Sequence, residues 1–485
     1  MNQPKVKYSL SNWDLVTVNP NYKNWNWKDI FFYWSVNTQS IIAFSLIASL
    51  YTIYNLNTFV VFFGSILGAI LVYFFSNLIG KPSQKYGLPF AVLLRSSLGI
   101  RGAKYFGLLR SLVGIFMFGI QTYFLSKAIG YLLRILFFSI DNSILDNNIF
   151  LTFFLGLNII DWFSFLFVMI LQIVLFSVGI NYNKKIINVS AIAVYLGLMI
   201  FFFIVFLSDV KLTSKVFIET LNFENFLDSS HLVPLFTVAG TIFAYFSVII
   251  VSFGDFTRYV KNEKELKRGN LSLILNLIIF SFFAVFIVVG SDIFLNQKIE
   301  NLERLFTNPT DIIGKFNDLQ ITVIALLFII FASGSTNLTA NFIPSQYSLI
   351  NFIPSKLSLK SASYIIGFLS SVIGLFWLTF LSQIGILSFV DTFGSFFGPI
   401  FGIIVTDYYL INKQNLNNKD IHSLESTSIY HYTGGWHFKG IYSVIVGFIF
   451  SASTIWNINF MFLQSYSWII GAFVGSITYY LLVKK

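Results

Sequence analysis

An all-α protein that crosses a lipid bilayer many times is the fold class the sequence predicts, and three observations carry that prediction. Of its 485 residues 56% are hydrophobic and only 11% are charged, whereas a soluble domain spends about a quarter of its residues on charge. Apolar stretches of about twenty residues, the length a helix needs to span hydrocarbon, recur from residue 30 to the end. The basic residues between those stretches gather on alternate sides, as the retention of lysine and arginine in the cytoplasm requires.

Taken in order, residues 1–29 are polar, with Lys5, Lys7, Lys23 and Lys28, and hold no short apolar run ending in a small-residue cleavage site, so no cleaved signal peptide is expected. Twelve apolar segments follow, at about 30–53, 57–80, 106–135, 157–180, 186–208, 232–254, 271–294, 319–343, 362–381, 385–411, 440–457 and 461–483. They are numbered 1 to 12 below. An even count puts both termini on one side. The expected organisation is a cytoplasmic segment 1–29, a first group of five helices over 30–208, a second over 232–411, a cytoplasmic loop 412–439, and a final pair with the C-terminus over 440–485.

Loop charges orient the chain. With the N-terminus lie Lys81, Lys85, Arg95, Arg101, Lys104 and Arg110, then Lys184 and Lys185, then Arg258, Lys261, Lys264, Lys267 and Arg268, then Lys356 and Lys360, then Lys413, Lys419 and Lys439, and last Lys484 and Lys485. Opposite them are only Lys211, Lys215, Lys298, Arg304 and Lys315, accompanied by Asp209, Glu219, Glu224, Asp228, Glu300, Glu303 and Asp311. Both termini are therefore expected in the cytoplasm of a multi-pass protein of the cell membrane, inner or plasma. The net charge of +10 is used up by this pattern, which leaves no basic face for nucleic acid. Cysteine is absent, which rules out disulfides, thiolate metal sites and a cysteine nucleophile.

Polar residues inside the apolar segments mark the candidate site. Segment 8 carries Ser335-Thr336-Asn337-Leu338-Thr339-Ala340-Asn341, five polar side chains in seven, costly in lipid unless they face protein, water or a ligand. Segment 1 carries Asn37-Thr38-Gln39-Ser40, segment 3 Gln121-Thr122, and segment 6 Ser247 and Ser252. These are positions one and three of each five-helix group, the spacing that two inverted repeats leave when interrupted helices line a site at mid-membrane. Helix-to-helix glue would account for any one of them alone.

Local motifs then become recognisable. Lys85-Tyr86-Gly87-Leu88-Pro89-Phe90, continuing through Arg95-Ser96-Ser97-Leu98-Gly99-Ile100-Arg101-Gly102-Ala103, resembles the loop between the second and third spans of the nucleobase:cation symporter family, the permeases for cytosine, purines, uracil, thiamine, allantoin and hydantoins. Asn12-Trp13-Asp14-Leu15 with Trp25, Phe118-Gly119-Ile120-Gln121-Thr122, Gly254-Asp255-Phe256-Thr257-Arg258-Tyr259, Gly398-Pro399-Ile400-Phe401-Gly402-Ile403 with Asp407-Tyr408-Tyr409, and Tyr430 to Trp436 resemble further motifs of that family, in order from about residue 12 to 440.

The resemblance implies a five-plus-five inverted-repeat core of the LeuT type with broken helices one and six, followed by two C-terminal helices. It implies a substrate ring held between aromatic residues of segments 3 and 6, positions that fall here on Met117 and Phe246. Met117 departs from the family's tryptophan but shares a helical face with Gln121 at i, i+4, and a thioether can lie against a ring; Phe246 keeps a ring and lacks an indole N–H. Ser335 and Thr336 match the hydroxyls that help coordinate sodium, Asn341 the substrate-reading amide, and Gln39 or Ser40 the polar side chain of segment 1, with Gln39 placed first for its reach. On a straight helix Thr336 and Asn341 would lie about 140° apart and roughly 7 Å along the axis. Asn337 would be a packing or supporting amide.

The expected function is cation-coupled uptake, with sodium as the coupling ion and no other cofactor, of a nucleobase or related cyclic ureide by a single chain in the bilayer. A proton-coupled permease for thiamine or a pyridine derivative is the second reading. An enzyme is disfavoured by the lack of cysteine, intramembrane histidine and intramembrane aspartate pairs, and saturable, competed uptake would separate a carrier from a channel. Lys127 is expected to snorkel outward, Asp255 and Arg258 to form a gate or structural pair at the inner end of segment 6, and Asp391 to sit at a helix end in contact with water. The four histidines have no metal-ligand spacing.

Overall fold

The computed structural model describes residues 12–52, 56–211, 214–215, 218, 229–298, 319–377 and 386–484. Glu219, Glu224, Asp228, Glu300, Glu303, Arg304, Asp311 and Lys315, and the side chains of Lys298 and Asp391, lie outside the described residues. Among the described residues eleven helices are long and apolar enough to cross a membrane, and they fall on segments 2 to 12. Segment 1 is different: two 12-residue helices, Trp27–Thr38 and Ile41–Thr52, meet at Gln39 and Ser40. The first starts from a capping box between Asn26 and Asp29. The second is capped by the Ser40 hydroxyl, which accepts from Ala43 N at 3.0 Å and so satisfies one of the orphan donors of a helix start.

Two expected boundaries move for a local reason. Segment 3 belongs to a run Phe90–Ile140 that also takes in the preceding motif loop, with a turn at Gly99 where φ is +78°. A Cβ there would come within 2.6 Å of the Gly435 carbonyl oxygen, so glycine is required both for the backbone angle and for the close approach of the loop after segment 10. Segment 6, Ser229–Val251, stops short of residue 254; a turn at Ser252 and Phe253 leads into the short helix Gly254–Thr257.

Packing sorts the helices into groups. Segment 1 packs along segment 7, segment 2 along segments 6 and 7, and segment 3 along segments 4, 8 and 9, while segments 10, 11 and 12 pack on one another. Exchanging 1 with 6 and 2 with 7 maps the pair 1–7 onto the pair 6–2, the relation an inverted repeat creates. The seam between segments 2 and 6 is closed by Gly64 and Gly68, where a Cβ would meet Val238 at 2.6 Å and Ile242 at 2.8 Å. Without a hydrophobic drive between helices in lipid, such close approach is what holds them.

At the inner face the polar N-terminal segment ties several loops together. The Asn12 side chain donates to the carbonyls of Pro354 (3.1 Å) and Leu357 (2.5 Å), and Val18 N donates to Gly87 O at 3.0 Å. Thr17 Oγ1 lies 3.0 Å from His422 Nε2; burial, with Arg95 and Arg258 nearby, pushes this histidine down to about 4, so the ring is neutral. Asp255 and Arg258, expected as a gate or a structural pair, make no direct hydrogen bond with each other, although their charges interact. Asp255 Oδ1 accepts from Phe90 N at 2.9 Å, while Arg258 donates to Asp14 O and Val16 O at 3.2 and 3.0 Å. Short, rigid motif backbone offers each of them a better partner than a second mobile side chain would.

Candidate substrate and cation site

The site begins with the break in segment 1. In a continuous helix the carbonyls of Val36 and Asn37 would accept from residues 40 and 41; the break removes those donors and leaves two orphan carbonyls. Thr336 Oγ1 approaches Val36 O at 2.6 Å, and Tyr245 Oη donates to Asn37 O at 3.1 Å while lying 2.6 Å from Ser40 Oγ. Thr339 Oγ1 donates to Asn37 Oδ1 at 3.1 Å. Segment 8 thus meets the broken end of segment 1 through hydroxyls.

Ser335 and Thr336 are joined through one carbonyl. Ala332 O lies 3.2 Å from Ser335 Oγ and 2.9 Å from Thr336 Oγ1, and the Ser335 hydroxyl also reaches Phe331 O at 2.7 Å. Val36 O, Ala332 O and the two hydroxyl oxygens therefore converge with more lone pairs than protons. That is the neutral, oxygen-rich donor set a hard monovalent cation takes. Among the described residues no cluster of three or more His, Cys, Asp or Glu exists that would hold a metal ion instead.

Segment 8 does not stay a straight α-helix through the cluster. Residues Asn337–Phe342 form a π turn, so the straight-helix relation expected between Thr336 and Asn341 does not hold. The cause is in the sequence. Pro344 has no N–H to offer the carbonyl four residues back, and its ring clashes with it; that carbonyl belongs to Ala340. Wide π turns at such places are common in functional helices. The freed Ala340 O accepts from Arg110 Nη2 at 2.6 Å, and Arg110 Nε donates to Ser252 Oγ at 3.2 Å. Counted as a loop charge from sequence, Arg110 is fully buried and staples segment 3 to segment 8 and to the end of segment 6. Arg95, also counted as a loop charge, is buried as well, donating to Asn351 Oδ1 at 2.8 Å and Ile421 O at 3.0 Å.

On the other side of segment 8 the amides meet. Asn341 Nδ2 donates to Gln121 Oε1 at 2.8 Å and to Asn337 Oδ1 at 2.9 Å. Asn337 Nδ2 in turn lies 2.8 Å from Gln172 Oε1, 3.1 Å from Thr122 Oγ1 and 3.2 Å from Phe118 O. Gln121 and Asn341 come together as the sequence implied, and Asn337 supports Asn341.

The remaining candidates are dispersed. Phe246 is buried with its ring edge-on to Trp34 (6.1 Å) and Tyr245 (4.9 Å). Met117 is half-buried and packs on the core. Gln39 and Ser40 line a cavity of about 70 Å³ with Phe44, Phe201, Phe280 and Ala332, among others; none of Gln121, Asn341, Phe246 or Met117 lines it. Lys127 has a partner: its Nζ lies 3.5 Å from Asp161 Oδ1, which Arg134 also approaches at 3.0 Å, and 5.1 Å from the Tyr123 ring centre.

Gln172, Tyr245 and Arg110 escaped sequence reasoning as members of the site, and Asn37 was marked only as part of a polar run, without its partner Thr339. Gln172 carried a signal, as an amide within the apolar helix Ile159–Phe176. Arg110 carried one in Pro344, whose position names the carbonyl that needs a donor.

A broken helix pinned by hydroxyls to a π turn in a bundle of membrane helices defines a class: a multi-pass membrane transporter, not an enzyme. A family model described as "Permease for cytosine/purines, uracil, thiamine, allantoin" matches residues 17–471, and the chain belongs to that family. It is similar to the allantoin permease of Bacillus subtilis (24% identical, over 98% of this chain and 93% of the relative) and to the purine-uracil permease NCS1 of Arabidopsis thaliana (26%, over 91% and 71%). Its fold is similar to that of Mhp1, a nucleobase-cation-symport-1 family transporter in a closed conformation with bromovinylhydantoin bound, at a TM-score of 0.76 and 16% identity over 98% of this chain and 96% of that one. A Na+-coupled sialic acid symporter is also similar in fold (TM-score 0.65, 14% identity, 95% and 91%).

Proposed function

We propose that the protein is a secondary transporter that couples uptake of a nucleobase or related cyclic ureide to the inward movement of sodium by alternating access. One observation carries the reading. Within a single turn and a half of segment 8, Thr336 faces the orphan carbonyl of segment 1 while Asn341 faces Gln121 of segment 3. A cation would be held by Val36 O, Ala332 O, Ser335 and Thr336; a ring would be read by Asn341 and Gln121, with Phe246 and Met117 as walls and Gln39 or Ser40 reaching from segment 1. None of the four cation oxygens titrates near neutral pH, so they suit a sodium ion better than a proton. The relatives named as allantoin and purine-uracil permeases support the substrate class.

In this reading the chain crosses the bilayer twelve times with both termini in the cytoplasm. Each repeat, 30–208 and 232–411, gives helices to both packing groups, segments 1, 2, 6 and 7 and segments 3, 4, 8 and 9, and these two groups rock around the site. Sodium and substrate raise each other's affinity by the same factor, as linkage demands. The test is uptake by proteoliposomes of radiolabelled uracil, cytosine, hypoxanthine, allantoin and hydantoin, with an inward sodium gradient, with a proton gradient, and with neither. Saturable uptake of at least one ring that rises with the sodium gradient is expected. Uptake driven by the proton gradient alone would refute sodium coupling, and uptake of none would refute the substrate class.

A further inference from the structure

The amides of the site are wired to one another in a fixed direction, and the direction starts at a backbone atom. An asparagine or glutamine side chain can present either its oxygen or its NH2 to a ligand; which end it presents is decided by its neighbours. Here the chain of neighbours ends on Phe118 O, a carbonyl that can only accept. Thr122 Oγ1 donates to it at 2.7 Å, and Asn337 Nδ2 lies 3.2 Å from it. Having spent its proton on that carbonyl, the Thr122 oxygen is an acceptor for everything else. It accepts from Gln172 Nε2 at 3.1 Å and from Asn337 Nδ2 at 3.1 Å.

Each link then forces the next. Gln172 gives its NH2 to Thr122, so it turns its oxygen to Asn337 (2.8 Å). With its NH2 held among three acceptors, Asn337 turns its oxygen toward Asn341. Asn341 must answer with its NH2, donating to Asn337 Oδ1 at 2.9 Å and to Gln121 Oε1 at 2.8 Å. What remains, with no partner among the described residues, is one acceptor, Asn341 Oδ1, beside one donor, Gln121 Nε2. Thr122 is fully buried, as is Asn337, and Gln172 is 4% exposed, so water does not compete for the relay.

We propose that Thr122, Gln172 and Asn337 are positioning residues that set the polarity of the substrate-reading pair, holding Asn341 as acceptor and Gln121 as donor, and that they thereby select a ring edge with an N–H beside a carbonyl. This rests on the reading of Gln121 and Asn341 as the pair that meets the ring. Gln172 lies on segment 4, its hydrogen bonds go to Thr122 and Asn337 and not to that pair, and it acts through Asn337. A ring in which C–H replaces that N–H leaves Asn341 Oδ1 unpaired in a buried site, and the fixed relay prevents the amide from turning to adapt.

The experiment measures discrimination between uracil and its two deaza analogues, 1-deazauracil and 3-deazauracil, which replace each ring N–H by C–H in turn, and the ratio read is that for the less well bound analogue. All three are used as competitors of labelled uptake in proteoliposomes. The native protein is expected to prefer the ring N–H by about tenfold or more. Asn337→Leu, and the nearly isosteric pair Thr122→Val with Gln172→Leu, are expected to bring that ratio down several-fold through a change in apparent affinity, with the maximal rate falling less. Thr122→Ser, which keeps the hydroxyl, is expected to keep the ratio. A ratio unchanged in the relay-breaking variants that still transport overturns the proposal, as does a native protein that does not discriminate. If neither relay-breaking variant reaches the membrane folded, Thr122→Val alone carries the same test. Failure of every ring to bind the native protein would instead refute the substrate reading, so the two failures are distinct.

Discussion

The two halves of the site are built differently, although one helix supplies both. The hydroxyl half faces the broken end of segment 1 through Thr336 and Thr339, with Ser335 joined to Thr336 through Ala332 O, and segment 1 packs with segment 7. The amide half, Asn337 and Asn341, faces Gln121, Thr122 and Gln172 on segments 3 and 4, which pack with segment 8 itself. One half therefore crosses between two groups of helices, while the other lies within one group. A ligand bound across a boundary biases the relative position of the two sides, because it has different contacts in each arrangement. A contact made wholly within one group has no such lever, so a substrate couples only through what it touches beyond the amides. In the transport reading, coupling belongs to the hydroxyl half and recognition to the amide half.

The largest effect expected from this division is at Asn341. Asn341→Ala removes the acceptor offered to substrate and two buried hydrogen bonds, each worth about 1–3 kcal/mol when its partner is stranded. Uptake is expected to vanish while membrane insertion, followed by surface labelling, is retained; normal transport by this variant would refute the amide assignment. Next is Thr336→Ala, which takes one oxygen from the cation set and releases Val36 O. Binding of a charged partner loses about 1.5–3 kcal/mol per such contact, so the sodium concentration for half-maximal stimulation should rise more than tenfold. Substrate affinity at saturating sodium should change little. An equal loss in both would mean that the halves are not separable, and unchanged sodium stimulation would remove the cation from Thr336.

Much of this was legible before the fold. Ser335, Thr336, Asn337 and Asn341 stand out because polar groups in an apolar run need partners, and every one of them has one. The break at Gln39 and Ser40 was foreshadowed by four consecutive polar residues, 37 to 40. Other features depend on distance in space. Nothing near Arg110 in sequence says that it reaches Ala340, 230 positions away, or that it belongs to the interior and not to the loop charge it was counted with. Gln172 reads as an isolated amide until segment 4 is laid against segment 8. The straight-helix relation between Thr336 and Asn341 failed because a proline three residues beyond the cluster acts backward on the helix, and Lys127 was read as snorkelling because its partner, Asp161, sits on another helix.

Phe246 offers a smaller and sharper test. It lies on segment 6, whose partner helix is segment 2, and its ring is edge-on to Trp34 of segment 1. A substrate stacked on it would span the same boundary as the cation. Because the ring is buried, Phe246→Ala would cost about 3–5 kcal/mol in packing and confuse the result, so Phe246→Leu is the better variant. Loss of stacking, about 1–3 kcal/mol per base, should raise the apparent substrate constant severalfold to a hundredfold and, because that contact crosses the boundary, weaken the gain in substrate affinity that sodium gives. An unchanged constant would make Phe246 a packing residue for Trp34 and leave recognition wholly to one group of helices.

The smallest effect is expected at Lys127, and its smallness is informative. Lys127 is on segment 3 with Gln121, so a charge there could in principle act on the amide half. Its Nζ, however, is held by Asp161 on segment 4, and Asp161 keeps Arg134 at 3.0 Å when the lysine is removed. Both cations are roughly a quarter exposed, and ion pairs of that kind are worth about 0–1 kcal/mol. Lys127→Met should therefore lower thermal stability in detergent only slightly, and leave both the substrate constant and sodium stimulation within about twofold of the native values. A large shift in sodium stimulation alone would show that a charge inside the rigid group reaches the cation half. That result would break the division between the two halves at its most distant point.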